Sequence, residues 1–304
     1  MVDADTEFDE PFSGDLASLA ATAERAARAA GYYILSVDRA QLSVAKKQGA
    51  HSLAAQLFTE VDHRSEAMIF EHLLPTMQTG NIAWLAEESA DTQDINHHER
   101  FHKKAFWCVD PLDGTQAFLQ GGSGFAVSVA LISRLGIPLI SVVYHPTSDI
   151  CFRAIHGEKM CVPEAIASSG FTVYMDQSFT QHPLYDTSMA ALQHIADLKG
   201  ATELVQVCDQ GAVMNACSVL RTPNSVYFKL PKAQTGGGCL WDYASTVGLF
   251  TAAGKNVTDM AGRSLRLNPP DTLFFNRCGV LFSSDSQVHN ALLSWWGKFN
   301  LAST

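Results

Sequence analysis

Apolar and polar positions follow two different rhythms along this chain. Residues 15–37, DLASLAATAERAARAAGYYILSV, are Ala-rich with apolar residues at helical spacing, and Ser13 or Asp15 would cap the resulting helix. A second helix is predicted over 60–74, stopped near Pro75, with Val61, Met68, Ile69 and Leu73 on one face. The rhythm then shortens. Residues 106–109, 125–132, 138–144 and 150–155 are β-rich segments separated by Gly or Pro, with connections at 136–138 and 146–149. After about residue 160, helices predicted at 188–198, 212–220, 244–253 and 287–296 alternate with strands at 203–207, 225–230 and 280–283. This change divides the chain into an N-terminal lobe over 13–157 and a C-terminal α/β lobe over 158–304, with a soft boundary near 157–180. The acidic residues 1–12 read as a disordered lead without the apolar core of a signal peptide.

Composition narrows the function classes. A chain of 304 residues with 47 % hydrophobic and 17 % charged residues has the make-up of an ordinary globular protein. Its 31 acidic against 21 basic residues give a net charge of −10, which argues against binding a nucleic acid polymer. An anionic substrate stays open, because a bound metal inverts local charge. No run of about 18 apolar residues predicts a membrane span. Seven cysteines form no CxxC pair; Cys151, Cys161, Cys208 and Cys217 lie in or beside apolar runs and read as reduced core thiols, which fits a cytoplasmic protein.

Three segments carry candidate chemistry. The apolar run Ala105-Phe106-Trp107-Cys108-Val109 reads as a buried strand and is followed by Asp110-Pro111-Leu112-Asp113-Gly114-Thr115. Two carboxylates three residues apart on such a turn converge on one point and suit a hard divalent cation; a solvated Asp-rich turn is the plainer alternative. Upstream, Ile82-Ala83-Trp84-Leu85-Ala86 ends in Glu87-Glu88. Downstream, Gly236-Gly237-Gly238-Cys239-Leu240-Trp241-Asp242 places an acid at the start of a helix, where it could also serve as an N-cap. The backbone N–H groups of Gly114 and Thr115 could form an anion-binding nest. His97, His98 and His102 lie in a polar stretch that reads as a solvated loop. Gly122-Ser123-Gly124 lacks a nucleophile elbow, and 236–238 lacks the Lys-Ser/Thr of a P-loop.

In this order, LAEES, WCVDPLDGTQAF and LWDYA resemble the inositol monophosphatase-like superfamily over residues 15–285. These are Mg²⁺-dependent, lithium-sensitive phosphomonoesterases, and the superfamily includes 3′(2′),5′-bisphosphate nucleotidases. The resemblance implies an α+β fold, a layered α-β-α-β-α sandwich. It implies that Glu87 and the Leu112 carbonyl serve a first Mg²⁺, that Asp110 bridges both ions, and that Asp113 and Asp242 serve the second. Thr115 would orient the attacking water, while Asp62, in a T-x-x-D element, would pair with Thr115. Glu88 would be a neighbour only. The family's Lys ahead of that Asp has its nearest candidates here in Lys46 and Lys47. A two-metal site offsets phosphate charge, activates water and stabilises the leaving oxygen.

The substrate end departs from the family pattern. Gly211-Ala212-Val213-Met214-Asn215 replaces small polar residues with apolar ones, and no acid precedes Trp241-Asp242 at short range. Tyr227-Phe228-Lys229-Leu230-Pro231-Lys232 loosely resembles the Tyr-Pro-Arg segment of bisphosphate nucleotidases, and Lys229 with Lys232 could meet a second phosphate. The expected activity is hydrolysis of a small phosphorylated metabolite, with the phosphate held by Asp113, Gly114, Thr115 and Asp242. An inositol monophosphate-type substrate stands slightly ahead of a bisphosphate nucleotide such as adenosine 3′,5′-bisphosphate; fructose 1,6-bisphosphate and a catalytically silent ligand-binding relative stay open, as does a homodimer.

Overall fold

The computed structural model describes residues 12–38, 51–90 and 94–303. Residues 1–11 of the expected lead over 1–12 and the candidates Lys46 and Lys47 lie outside them. Helix α1 (Leu16–Ser36) begins where Asp15 accepts the N–H groups of Ala17 and Ser18, each at 3.1 Å. Its buried stripe of Ala20, Ala23, Ala26, Ala27 and Ala30 lets the helix axis lie close to the sheet beneath.

Helix α2 (His51–Gly80) departs from expectation by running straight through Pro75. The Pro75 ring faces solvent, Thr76 Oγ1 donates to the Leu73 carbonyl at 2.6 Å, and Ile69 and Leu73 are buried. Packing on the sheet outweighs the hydrogen bond that proline removes. The indole N–H of Trp107 also donates to Thr76 Oγ1 at 3.0 Å, one residue past the proline.

The first sheet has the order β1 (Ile82–Ala86), β2 (Ala105–Asp113), β3 (Ala126–Ser133), β4 (Pro138–His145), β5 (Ile150–Ile155). Only the β1–β2 pair is parallel. The second sheet has the order β7 (Leu204–Val207), β6 (Phe171–Tyr174), β8 (Ser225–Lys229), β10 (Val280–Ser283), β9 (Asn256–Thr258). Strands β6 and β9 were not expected. Each is short, and β9 is a half-buried edge strand, so neither has the length that makes a period of two visible in sequence.

Short helices α3 (Glu87–Ala90) and α4 (Thr115–Leu119) follow β1 and β2. The longer ones are α5 (Tyr185–Leu198), α6 (Ala212–Arg221), α7 (Leu240–Ala252) and α8 (Ser286–Ser303). Alternation along β2 sorts the core. Ala105, Trp107 and Val109 meet α1 and α2, whereas Phe106 and Cys108 meet α6 and α7. Residues of β8 and β10 reach α6 and α7 from the other side, and the far face of the second sheet is covered by α5 and α8. The architecture is the α-β-α-β-α sandwich, and its middle helical layer belongs to both sheets.

Two smaller expectations fail. Cys161 is exposed, because the segment carrying it follows β5 outside the sheets, while Cys108 and Cys217 are buried and Cys151 and Cys208 half-buried. His98 is buried and its Nδ1 accepts the Arg100 N–H at 3.0 Å, so it belongs to the fold; His97 and His102 are exposed. Among the described residues no helix is long and apolar enough to cross a membrane.

Trp107 is fully buried and ties α2 to the sheet, so Trp107→Ala should destabilise the protein by about 3–5 kcal/mol in urea unfolding. A loss below about 1 kcal/mol would show that the indole is not the tie.

Candidate active site

Strand β2 does not end at Val109 as expected but continues through Asp113, and the Asp-rich segment is part of the sheet. All nine of its residues are buried, so leaving the ladder early would strand backbone groups without partners. The pairing slips inside the segment: Asp110 faces Ser128, yet Asp113 faces Ala126. Three steps on β2 therefore match two on β3, which is a bulge with one extra residue. Residues at i and i+3 of a regular strand point to opposite faces; across this bulge they point to the same one. Pro111 is tolerated because a bulge does not need its missing N–H. Leu112 turns into the outer core, and its N–H donates to Asp110 Oδ1 at 3.1 Å.

Three neighbours complete the cluster. Ala86 pairs with Val109, so Glu87, which opens α3, falls beside Asp110 across the parallel strands. Asp242 comes from the first turn of α7, which starts four residues earlier than expected. It closes a capping box in which its Oδ2 accepts the Cys239 N–H at 2.8 Å. Ser128, opposite Asp110, bonds Ser245 Oγ at 2.7 Å and the Trp241 carbonyl at 3.3 Å, fixing α7 against β3. Oxygens of Asp110, Asp113 and Asp242 all lie within 4.8 Å of one another.

Helix α6 points its N-terminus at Asp113. Ala212 N–H donates to Oδ1 at 3.1 Å and Val213 N–H to Oδ2 at 2.9 Å. Gly211 makes this approach feasible, since a Cβ there would run into the Asp113 carboxylate. Gly114 then turns the chain at φ 84°, a left-handed conformation.

The charge balance points to a cation. Burial pushes Asp110 and Asp113 well above the usual carboxylate range, with Glu87 adding to the rise at Asp110 and Asp242 to that at Asp113. Glu87 is pushed up to about 8 by burial and the Asp242 charge. Asp242 also rises through burial, although Lys229 opposes the shift. Like charges packed this closely, all on oxygen donors and half-buried or buried, fit a hard divalent ion; Glu87, Asp110, Asp113, Asp242 and the Leu112 carbonyl could hold it.

The remaining expected residues sort by geometry. Thr115 Oγ1 donates to the Leu112 carbonyl at 3.0 Å. Asp62 on α2 is buried, its Oδ1 has no hydrogen-bond partner among the described residues, and burial with the Glu88 charge pushes it up to about 7. The expected Asp62–Thr115 pair is thus replaced by Thr115–Leu112. The Glu88 backbone N–H donates to Glu66 Oε2 at 2.9 Å, and its carboxylate lies 3.9 Å from His63 Nε2, on the α2 side.

The two lysines separate. Lys232 is exposed. Lys229 is 17 % exposed and its Nζ lies 2.8 Å from Asp176 Oδ2. Asp176 was not anticipated; the signal available was an acid just past the short strand β6, which itself went unread. A cavity of about 260 Å³ is lined by Asp113, Gly114, Gln116, Asp176, Lys229 and Asp242. A second, of about 110 Å³, is lined by Phe179, His182, Phe228, Lys232 and Phe275, and shares Asp176, Ser178 and Lys229 with the first. Phe179 stacks on His182 with ring centroids 5.2 Å apart.

The chain is similar to known proteins along most of its length. The model of the inositol monophosphatase family matches residues 15–295. The 3′(2′),5′-bisphosphate nucleotidase CysQ of Salmonella typhimurium is 28 % identical over 255 residues, 81 % of this chain and 92 % of that protein. The solved inositol monophosphatase from Anabaena superposes with a TM-score of 0.66 at 22 % identity, covering 94 % of this chain and 97 % of that one. CysQ from Bacteroides thetaiotaomicron gives 0.65 at 23 % identity, over 88 % and 98 %.

The raised carboxylates set a pH dependence for the metal-free protein. Glu87 has an ordinary value of 4.5 and Asp62 of 3.8, and the fold raises them to about 8 and about 7. The folded state therefore keeps protons that the unfolded chain gives up. Their contribution to stability is full below the ordinary values and is lost as pH rises through 7 to 8. The Tm in EDTA should fall between about pH 5 and pH 8.5, and Mg²⁺ should raise it more at the alkaline end. A flat Tm across that window would refute the assignment.

Proposed function

The chain belongs to the inositol monophosphatase family, a family of phosphoric monoester hydrolases, and from that premise we propose that it is a Mg²⁺-dependent phosphatase acting on a 3′(2′),5′-bisphosphate nucleotide. The observation that carries this reading is the placement of Lys229. It brings a cation to the same cavity as Asp113 and Asp242, at the junction with the aromatic cavity. A substrate with one phosphate at the cluster, a second phosphate and a planar ring has a partner for each part. The curated relatives named as bisphosphate nucleotidases, 24–28 % identical, support the same choice. This moves the balance away from the inositol-type substrate favoured at first, as does the absence of an acid just before Trp241-Asp242.

In the proposed mechanism Glu87, Asp110, Asp113, Asp242 and the Leu112 carbonyl would hold Mg²⁺. When bound, the metal offsets phosphate charge and makes a coordinated water acidic. The Thr115 hydroxyl spends its proton on the Leu112 carbonyl, which leaves its oxygen free to accept from the attacking water. Glu87, beside Asp110 at the end of β1, would take the water's proton. Backbone N–H groups at Gly114 and Thr115 hold the phosphate. The water oxygen forms the new bond to phosphorus as the ester P–O bond breaks, and the leaving oxygen takes a proton from a solvent water; the products are inorganic phosphate and a nucleotide with one phosphate fewer.

Two measurements test the reading. Asp110→Asn and Asp242→Asn keep shape but lose charge, and each should lower Mg²⁺-dependent phosphate release at least about a hundredfold, beyond the effect typical of outer-shell residues. Near wild-type turnover at saturating Mg²⁺ would remove the metal assignment. For the substrate, Lys229→Ala should raise KM for adenosine 3′,5′-bisphosphate about ten- to a hundredfold, the worth of one charge-assisted contact. It should barely change KM for inositol 1-phosphate, and Lys232→Ala should have little effect on either. Equal effects of Lys229→Ala on both substrates would return the inositol-type reading to the lead.

A further inference from the structure

Lys229 has a choice of partners. Its ammonium faces the same cavity as Asp113 and Asp242, on a flexible four-carbon stem. Asp113 is buried and Asp242 half-buried, their oxygens lie close to each other, and both are in want of positive charge. A lysine so placed is an internal rival for the metal, because its ammonium could neutralise the cluster itself.

The structure shows it engaged elsewhere. Lys229 Nζ lies 2.8 Å from Asp176 Oδ2, and the other oxygen of Asp176 accepts the Tyr227 hydroxyl at 3.3 Å. Tyr227 lies two residues before Lys229 on β8, is fully buried and stacks on Phe282 with ring centroids 5.9 Å apart. Asp176 stands at the cap position of the 3₁₀ turn Gln177–Gln181, yet its side chain caps nothing there. Its carboxylate is directed instead at the lysine and the tyrosine. Burial alone would lower the Lys229 pKa, but Tyr243, Asp176 and Asp242 together raise it, so the ammonium stays charged.

We infer that Asp176 is a positioning residue: anchored by Tyr227, it holds the Lys229 ammonium off Asp113 and Asp242 and so keeps an internal cation out of the metal's place. The inference rests on the metal reading of the Asp110, Asp113 and Asp242 cluster. It predicts that Asp176 acts on metal affinity through Lys229 and not by its own charge.

A double-mutant cycle separates these routes. Mg²⁺ binding to the metal-free full chain is measured by calorimetry for the wild type, Asp176→Asn, Lys229→Met and the double variant, with the Mg²⁺-induced rise in Tm as second readout. Asp176→Asn should weaken Mg²⁺ about ten- to a hundredfold, since the freed ammonium gains a charge-assisted contact with the cluster. In the Lys229→Met background the same change should leave Kd within about twofold. Asp176→Ser serves if the Asn variant does not fold. Unchanged affinity in Asp176→Asn overturns the inference, and so does equal weakening in both backgrounds, which would assign the effect to the charge of Asp176 alone. A wild type that binds no Mg²⁺ overturns the metal reading and this inference together.

Discussion

One extra residue in β2 governs the site. Strand geometry sends neighbouring side chains to opposite faces, and without the register slip between Asp110 and Asp113 one of these acids would enter the outer core beside Val109 and Leu112. With the slip, both turn to the middle of the sandwich. The energetic consequence is severe, because carboxylates are then crowded in a dry place. The surroundings answer it piece by piece: the α6 N-terminus on Asp113, the capping box on Asp242, the Lys229 ammonium across the cavity, and protons or a metal ion for the remainder.

The middle helical layer makes the site a property of the whole fold. Helices α6 and α7 each aim an N-terminal turn at the cluster while their flanks pack on both sheets. Ser128 and Ser245 connect α7 to β3 at the level of Asp110, so the position of Asp242 is tied to the strand that carries its partners. The site is therefore assembled only when both sheets have closed on this layer.

Much of this was legible in sequence because it depends on local pattern. The paired acids after an apolar run, the DPLDGT segment and the Trp-Asp at a helix start each carry their signal within a few residues. What escaped depends on distant contacts. The slip in β2 is a relation between two strands, and from one strand alone the segment looks like a turn. Pro75 stays helical because Ile69, Leu73 and Thr76 are held by the sheet. Asp176 follows a strand of four residues that gives too short a pattern to read. Lys229 and Lys232 look equivalent three residues apart; only the fold sets one against an acid between the two cavities and leaves the other exposed at the edge of the aromatic one.

The elevated carboxylates carry a consequence for metal uptake. A group such as Glu87, which holds a proton near neutrality in the metal-free protein, must surrender it before it can ligate. Loading is then an exchange of protons for a divalent ion, with a stoichiometry set by how many of the clustered acids were protonated beforehand. By mass action, the fraction of molecules loaded at a fixed free concentration of the proposed metal would follow the proton concentration as well. Under the proposed metal reading, acidification would empty the site without any change in metal supply, and the heat of binding would depend on the buffer that receives the released protons.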